Sequence, residues 1–235
     1  MYECNVRGKM GVQILQAFTA LAGVYPEENP KIIVNTGGVS YDSSAKIEQV
    51  FDCKIPIEER EGTRKSPYWN QGVASRIFRT RDRVASEYLV PRKELYLPAT
   101  GSLKDAPIAV AVHMRGKDKA VATPESYIRL VNEAKNMGMP VLFSDDVELV
   151  RHVAKETKCI IGSSSNVMSD YKKLFNARVV FCVPNAFIMS MLLINPHKKI
   201  MMAGRSYCDG SYTAYQDDLS FAEEAIEYCK NLEII

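Results

Sequence analysis

Solid apolar runs and amphipathic stretches alternate along this chain. The run at residues 108–112 (IAVAV) is apolar at every position, which predicts a strand buried on both faces of a parallel sheet. Shorter runs at 31–35, 141–143, 159–161, 179–183 and 198–203 predict further strands. Helical patterns separate the later ones, over residues 124–137, 147–155, 169–176, 186–193 and 220–232. Pro124 behind Thr123 suits a first helical turn, and Gly138 suits an exit. Earlier in the chain, a strand at 2–6 leads through a turn at Gly8 and Gly11 into a helix ending near residue 22. A Gly37-Gly38 loop, a short helix at 45–51 and a short strand at 53–57 follow the strand at 31–35. Residues 58–96 are polar and read as helix or loop, and Pro98, Gly101 and Pro107 punctuate a linker. Strand–helix alternation predicts an α/β fold with a doubly wound parallel sheet. We expect two α/β halves, 1–105 and 106–235, joined near residue 105 with a cleft between them.

Composition narrows the classes of function. The chain has 235 residues, enough for one large core or two modest ones. It is 46% hydrophobic and 25% charged, as in ordinary globular proteins. A net charge of +2 gives no reason to expect nucleic acid or a membrane surface as a partner. The run Arg76, Arg79, Arg81 and Arg83 reads as a solvated helix face rather than a polyanion site. The first residues lack an apolar core of signal-peptide length, and no run approaches the ~18 apolar residues of a bilayer span. Six cysteines contain no Cys-x-x-Cys pair, which fits a reducing cytosol. His113, His152 and His197 are too scattered to suggest zinc.

Four places could carry chemistry. The apolar run at 108–112 ends in His113, Arg115, Lys117 and Asp118. Charged groups at the carboxyl end of a buried strand lie where open α/β sheets bind ligands. The planar fork of Arg115 suits a phosphate, although a charged loop could simply cap the strand. The segment Gly8-Lys9-Met10-Gly11-Val12-Gln13 opens the first helix, where glycines permit close backbone approach. The alternative there is a tight turn with Gln13 and Gln16 on the helix surface. Ser144, Asp145 and Asp146 follow the strand at 141–143, and contiguous acids at a helix start read as caps rather than metal ligands. Finally, Asp170 precedes the strand at 179–183 and the loop Pro184-Asn185-Ala186-Phe187. Small residues ahead of a helix can bind an anion, and Asp170 could equally be a helix cap.

In this order the four places resemble the bacterial α-1,2-fucosyltransferase family and its wider relatives that use GDP-fucose. Met10-Gly11-Val12-Gln13-Ile14-Leu15-Gln16 is similar to the family's Gly-Leu-Gly-Asn-Gln opening, with Val12 in place of Asn. His113-Met114-Arg115-Gly116-Lys117-Asp118 resembles His-x-Arg-Arg-x-Asp, with Gly116 where the second arginine stands. Phe143-Ser144-Asp145-Asp146 matches Phe-Ser-Asp-Asp. Asp170, Leu174, residues 179–182 and Phe187 keep step with the last motif, in which Pro184-Asn185-Ala186 replaces Asn-Ser-Thr. The region 40–100 matches no family motif.

The resemblance implies two facing Rossmann-like domains in a compact GT-B-like architecture, acceptor side first. It implies metal-independent, inverting transfer of a sugar, fucose above all, from a GDP-sugar to a glycan hydroxyl, with no cofactor. His113 and Asp170 would hold guanine, and Arg115 the β-phosphate. Asn185, Ala186, Phe187, Gly11 and Gln13 would complete the nucleotide-sugar site, with Ser144, Asp145 and Asp146 in structural roles. Arg115 would stabilise the leaving diphosphate, and Asp118 or Glu125 would be the general base. Asp118 could instead orient Arg115, and Glu125 could serve its helix start. Tyr68, Trp69 and Asn70 would stack the acceptor sugar or form part of a core. Many relatives carry a membrane anchor, so its absence here suggests a cytoplasmic enzyme of bacterial or viral type. Three alternatives remain at this point: a transferase using another nucleotide sugar, a non-catalytic nucleotide- or carbohydrate-binding relative, and a metal-dependent transferase using Asp145 and Asp146. No oligomeric state is implied.

Overall fold

The computed structural model describes residues 2–37, 46–62, 73–96, 108–116, 119–213 and 215–235. In chain order the first half holds β1 (Tyr2–Arg7), α1 (Met10–Leu21), β2 (Pro30–Asn35), β3 (Phe51–Cys53), β4 (Ile57–Arg60), α2 (Ala74–Glu87) and β5 (Leu89–Pro91). The second half holds β6 (Val110–Met114), α3 (Pro124–Ala134), β7 (Pro140–Ser144), α4 (Val147–Thr157), β8 (Ile160–Ile161), α5 (Val167–Asn176), β9 (Val179–Cys182), α6 (Ala186–Ile194), β10 (Lys199–Met202), α7 (Tyr215–Ala225) and β11 (Leu232–Ile234). Strands β1, β2 and β4 form a three-stranded parallel sheet. Strands β3 and β5 pair antiparallel.

The other six strands form one parallel sheet in the order β11-β10-β9-β6-β7-β8. From β6 the chain steps outward to β7 and β8. It then returns to the other side of β6 and continues through β9, β10 and β11. This is the order of a doubly wound sheet, and its direction reverses between β6 and β9. Ligands of such sheets bind outside the strands' carboxyl ends at that reversal.

All five residues of β6 are buried. Val110, Val112 and Met114 pack with Tyr127, Leu130 and Val131 of α3 and Val150 and Val153 of α4. Ala111 faces the opposite side, in a core that also holds Val180, Cys182 and most of α6. Alternation along a strand therefore aims His113 toward α6. Helix α6 (AFIMSMLLI) is apolar almost all round, the pattern of a helix enclosed by protein. Its partner is α1, whose Met10, Ile14, Leu15, Phe18 and Leu21 belong to the same core. That core runs without a break from Cys4 and Val6 of the first sheet to Ile200 and Met202 of the second. Phe78 of α2 also packs against Phe221 of α7, with ring centroids 5.9 Å apart.

Several elements differ from expectation. The helix expected at 220–232 starts earlier, at Tyr215, and ends at Ala225, and the chain finishes in β11 instead. Leu232 and Ile234 pair with Ile200 and Met202, covering the free edge of β10. The strand expected at 53–57 is two separate strands with different partners, β3 on β5 and β4 on β2. The helix expected at 45–51 contributes only a single turn, Ile47–Gln49, before Phe51 enters β3. No described helix is long and apolar enough to cross a membrane.

Candidate functional site

The carboxyl end of β6 meets the starts of three helices. Arg115 lies just beyond the strand, and its main chain is fixed first. Its N–H donates to the Tyr127 hydroxyl, which donates in turn to the Arg115 carbonyl, both at 2.8 Å. Tyr127 is fully buried on α3, so the clamp is anchored in the core. The guanidinium pairs with Asp145 at 2.5 Å and is 16% exposed, turned into the protein rather than toward bulk water. Asp145 Oδ1 also accepts from the Gly116 amide at 3.3 Å. Its Oδ2 lies 3.9 Å from Nζ of Lys9, on the turn that opens α1.

His113 is buried between this cluster and α6. Burial first, and the Arg115 charge second, push its pKa down to about 4, with Asp145 opposing them. The ring is therefore neutral at pH 7. Its Nδ1 lies 3.4 Å from the amide nitrogen of Asn185. Because that nitrogen can only donate, Nδ1 is assigned as the acceptor and Nε2 carries the proton. The ring also stacks on Phe187, with centroids 5.4 Å apart.

Asn185 caps α6: its Oδ1 accepts from the Ile188 amide at 3.0 Å, while its nitrogen donates to the Val183 carbonyl at 2.6 Å. Ala186 and Phe187 form the first turn of α6, and Gly11 lies directly against them. A Cβ at Gly11 would sit 2.7 Å from Phe187 Cα and 2.8 Å from the Ala186 carbonyl oxygen. Only glycine allows the starts of α1 and α6 to meet backbone to backbone. The chain enters α1 through Gly8, whose φ of +86° lies in the left-handed region. Gln13 and Gln16 are buried and hold this turn, Gln13 donating to the Gly8 carbonyl at 2.7 Å and Gln16 accepting from the Arg7 amide at 2.8 Å.

The two adjacent acids divide their tasks. Asp146 caps α4, accepting from the Glu148 and Leu149 amides at 3.1 Å. Asp145 takes no part in that cap and serves the cations. Ser144 ties β7 to the loop after β8, its amide donating to Ser163 Oγ at 2.7 Å. Gly116 packs against Asp146, whose Cβ would lie only 2.4 Å from a Cβ placed there. An arginine at this position has no room.

Asp170 stands apart from the Arg115 cluster, in the first turn of α5. It accepts from the amide of Ser164 at 2.9 and 3.0 Å and from its hydroxyl at 2.8 Å. Burial raises its pKa, and these hydrogen bonds oppose the shift. Its neighbour Tyr171 meets Phe187 edge-on, with centroids 5.1 Å apart, which links α5 to the start of α6. Glu125 is exposed in the first turn of α3 and makes no hydrogen bond or ion pair with the cluster. Lys117, Asp118, Tyr68, Trp69 and Asn70 lie outside the described residues. Among the described residues, no three His, Cys, Asp or Glu side chains could together hold a metal ion. A shallow groove of about 610 Å³ opens elsewhere, beside Phe51, Cys53 and Arg92, and none of the cluster residues lines it.

Two members of the site escaped sequence reasoning. Lys9 could have been found, as a cation within a glycine-flanked turn ahead of a helix. Tyr127 could not, because nothing local marks which residue of α3 reaches back to Arg115.

Among solved structures, the chain is similar to the crystal structure of a glycosyl transferase family 9 protein from Veillonella parvula DSM 2008. The identity is 10% and the TM-score 0.46, over 98% of this chain and 90% of that one. No known family model matches the chain, and no curated protein matches it in sequence.

Proposed function

We propose that this chain is a glycosyltransferase that moves a sugar, fucose by its motif resemblance, from a GDP-sugar to a glycan hydroxyl with inversion. The observation that carries the reading is the position of His113 and Arg115. His113, near the end of the strand beside which the six-stranded sheet reverses, faces Asn185 at the start of α6, and Arg115 lies just beyond that strand. In this reading Arg115 holds the β-phosphate, while His113 and Asp170 contact the base. Amides at Ala186 and Phe187, with the Gly11 turn beside them, face the diphosphate. Residues 106–235 bind the donor and 1–105 the acceptor, as two facing halves.

The acceptor oxygen attacks the anomeric carbon as the bond to the β-phosphate oxygen breaks. The acceptor proton passes to a carboxylate, Asp118 or Glu125, and the electron pair leaves with GDP. The transition state resembles an oxocarbenium ion. Arg115 and the helix-start amides stabilise the charge that grows on the leaving group, in the role a metal fills elsewhere.

The test is a screen of nucleotide sugars for transfer and for slow donor hydrolysis, run on the wild type and on Arg115→Ala. Turnover of a GDP-sugar that falls about a hundredfold or more in the variant is expected, with an unchanged circular dichroism spectrum. Near-wild-type turnover in Arg115→Ala sinks the reading. GDP binding without any turnover would favour a second one, a non-catalytic nucleotide-binding relative. The absence of a side chain at Gly116 and of the Ser-Thr hydroxyls points toward it.

A further inference from the structure

We propose that Lys9 is the second cation of the diphosphate site, and that Asp145 occupies an anion position which a phosphate oxygen takes over on binding. The nucleotide part of this inference rests on the reading above, whereas the anion site itself does not. Three donors from two segments, residues 115–116 and the turn at Lys9, converge on one carboxylate. Arg115 Nη1 lies 2.5 Å from Asp145 Oδ2, and Lys9 Nζ lies 3.9 Å from the same oxygen. The Gly116 amide reaches Oδ1 at 3.3 Å.

Asp145 is not needed where it stands for local reasons. Asp146 alone caps α4, so the helix start has no claim on its neighbour. The carboxylate instead neutralises two cations supplied by opposite halves of the chain. Lys9 also stands where a second cation is needed. A diphosphate leaving group carries more charge than one guanidinium balances, and Gly116 leaves no room for an arginine after Arg115. The turn into α1 is the remaining source among the described residues around Asp145. That helix begins with no side-chain cap and no acidic residue in its first turn.

Exposure is graded in the right order for exchange. The Lys9 side chain is 47% exposed and Asp145 28%, against 16% for Arg115. An incoming phosphate therefore meets the ammonium first and displaces the carboxylate from the guanidinium second. Arg115 supplies the directional fork, and Lys9 a rotatable point charge.

Calorimetry on the full chain tests this with three probes: GDP, inorganic pyrophosphate and guanosine. Lys9→Met should weaken GDP and pyrophosphate about tenfold, the effect of one charge-assisted contact, and leave guanosine unchanged. Lys9→Arg should restore most of the loss, and Asp145→Asn should bind both anions more tightly than wild type. Unchanged thermal melting of Lys9→Met checks that the fold is intact. GDP binding that survives Lys9→Met but is lost in Arg115→Met overturns the role of Lys9 and leaves the nucleotide reading standing. Weaker anion binding in Asp145→Asn overturns the exchange. Lys9-dependent pyrophosphate binding with no gain for GDP keeps the anion site and removes the nucleotide reading. A wild type that binds neither anion overturns both.

Discussion

The two parallel sheets solve the same burial problem in different ways. Every residue of β6 and β9 is buried, because helices pack on both faces of the six-stranded sheet. In the three-stranded sheet Cys4, Val6, Ile32 and Val34 join the core, and on the opposite face only Ile33 is a fully buried hydrophobic. Around Ile33 that face carries a ladder of ions, in which Lys31 pairs with Glu58 at 2.9 Å and Arg60 with Glu3 at 3.1 Å. Among the described residues, the first sheet delivers only the α1 turn to the site. The second delivers His113, Arg115, Asp145 and Asn185. Groups meant to hold a fixed geometry are thus mounted on the sheet with the most packing around it, where rotamers and strand positions are least free.

Removing packing from each sheet breaks or sharpens this contrast. The largest effect is expected from Phe143→Ala on β7. Phe143 is fully buried, and losing it should cost about 3–5 kcal/mol of unfolding free energy in urea titrations. Gly11→Ala comes next, since a methyl there meets the α6 backbone, which cannot rotate aside. A loss of about 1–3 kcal/mol is expected, together with weaker GDP binding as the two helix starts are pushed apart.

His113 gives a smaller, pH-dependent effect. Its pKa in the folded chain is about 4, below the 6.5 of a free imidazole, so the unfolded chain takes up the proton first. Its contribution to stability is complete above pH 6.5 and is lost as pH falls toward 4, at up to about 1.4 kcal/mol per pH unit. Melting curves between pH 7 and 4.5 should show a steeper acid loss for wild type than for His113→Gln. The smallest effect is expected from Glu58→Gln on the ion ladder, which should leave the melting temperature within error because exposed pairs contribute little. A large shift there would erase the contrast between the sheets.

Legibility in the sequence follows the same division. Runs such as VVFCV and IAVAV announce buried strands because burial on both faces leaves no polar position to confuse the period. The strand order is not written locally. Nothing in residues 110–114 says that their neighbours will be residues 140–144 and 179–182. The ends β4 and β11 are hidden for that reason, since IEER and LEI become strands only by pairing with β2 and β10. At the candidate site, sequence order singled out His113, Arg115, Asn185, Phe187 and Gly11, which the fold brings together. It did not separate Asp145 from Asp146, because one residue's shift along a turn decides which carboxylate caps a helix and which meets a guanidinium. Gln13 looks like a ligand contact in the sequence. In the fold its amide nitrogen donates to the Gly8 carbonyl of its own turn.

The enclosure of α1 bears on how the chain is made. Met10, Ile14, Leu15 and Phe18 leave the ribosome well before Ile188, Met189 and Leu192, which belong to the core that buries them. Until synthesis has passed residue 194, that helix has only part of its covering, and its apolar surface is open to chaperones or to other nascent chains. The central strand has the same wait, because β6 stays an edge on one side until β9 arrives. Translation speed between residues 22 and 194 therefore sets how long α1 is at risk.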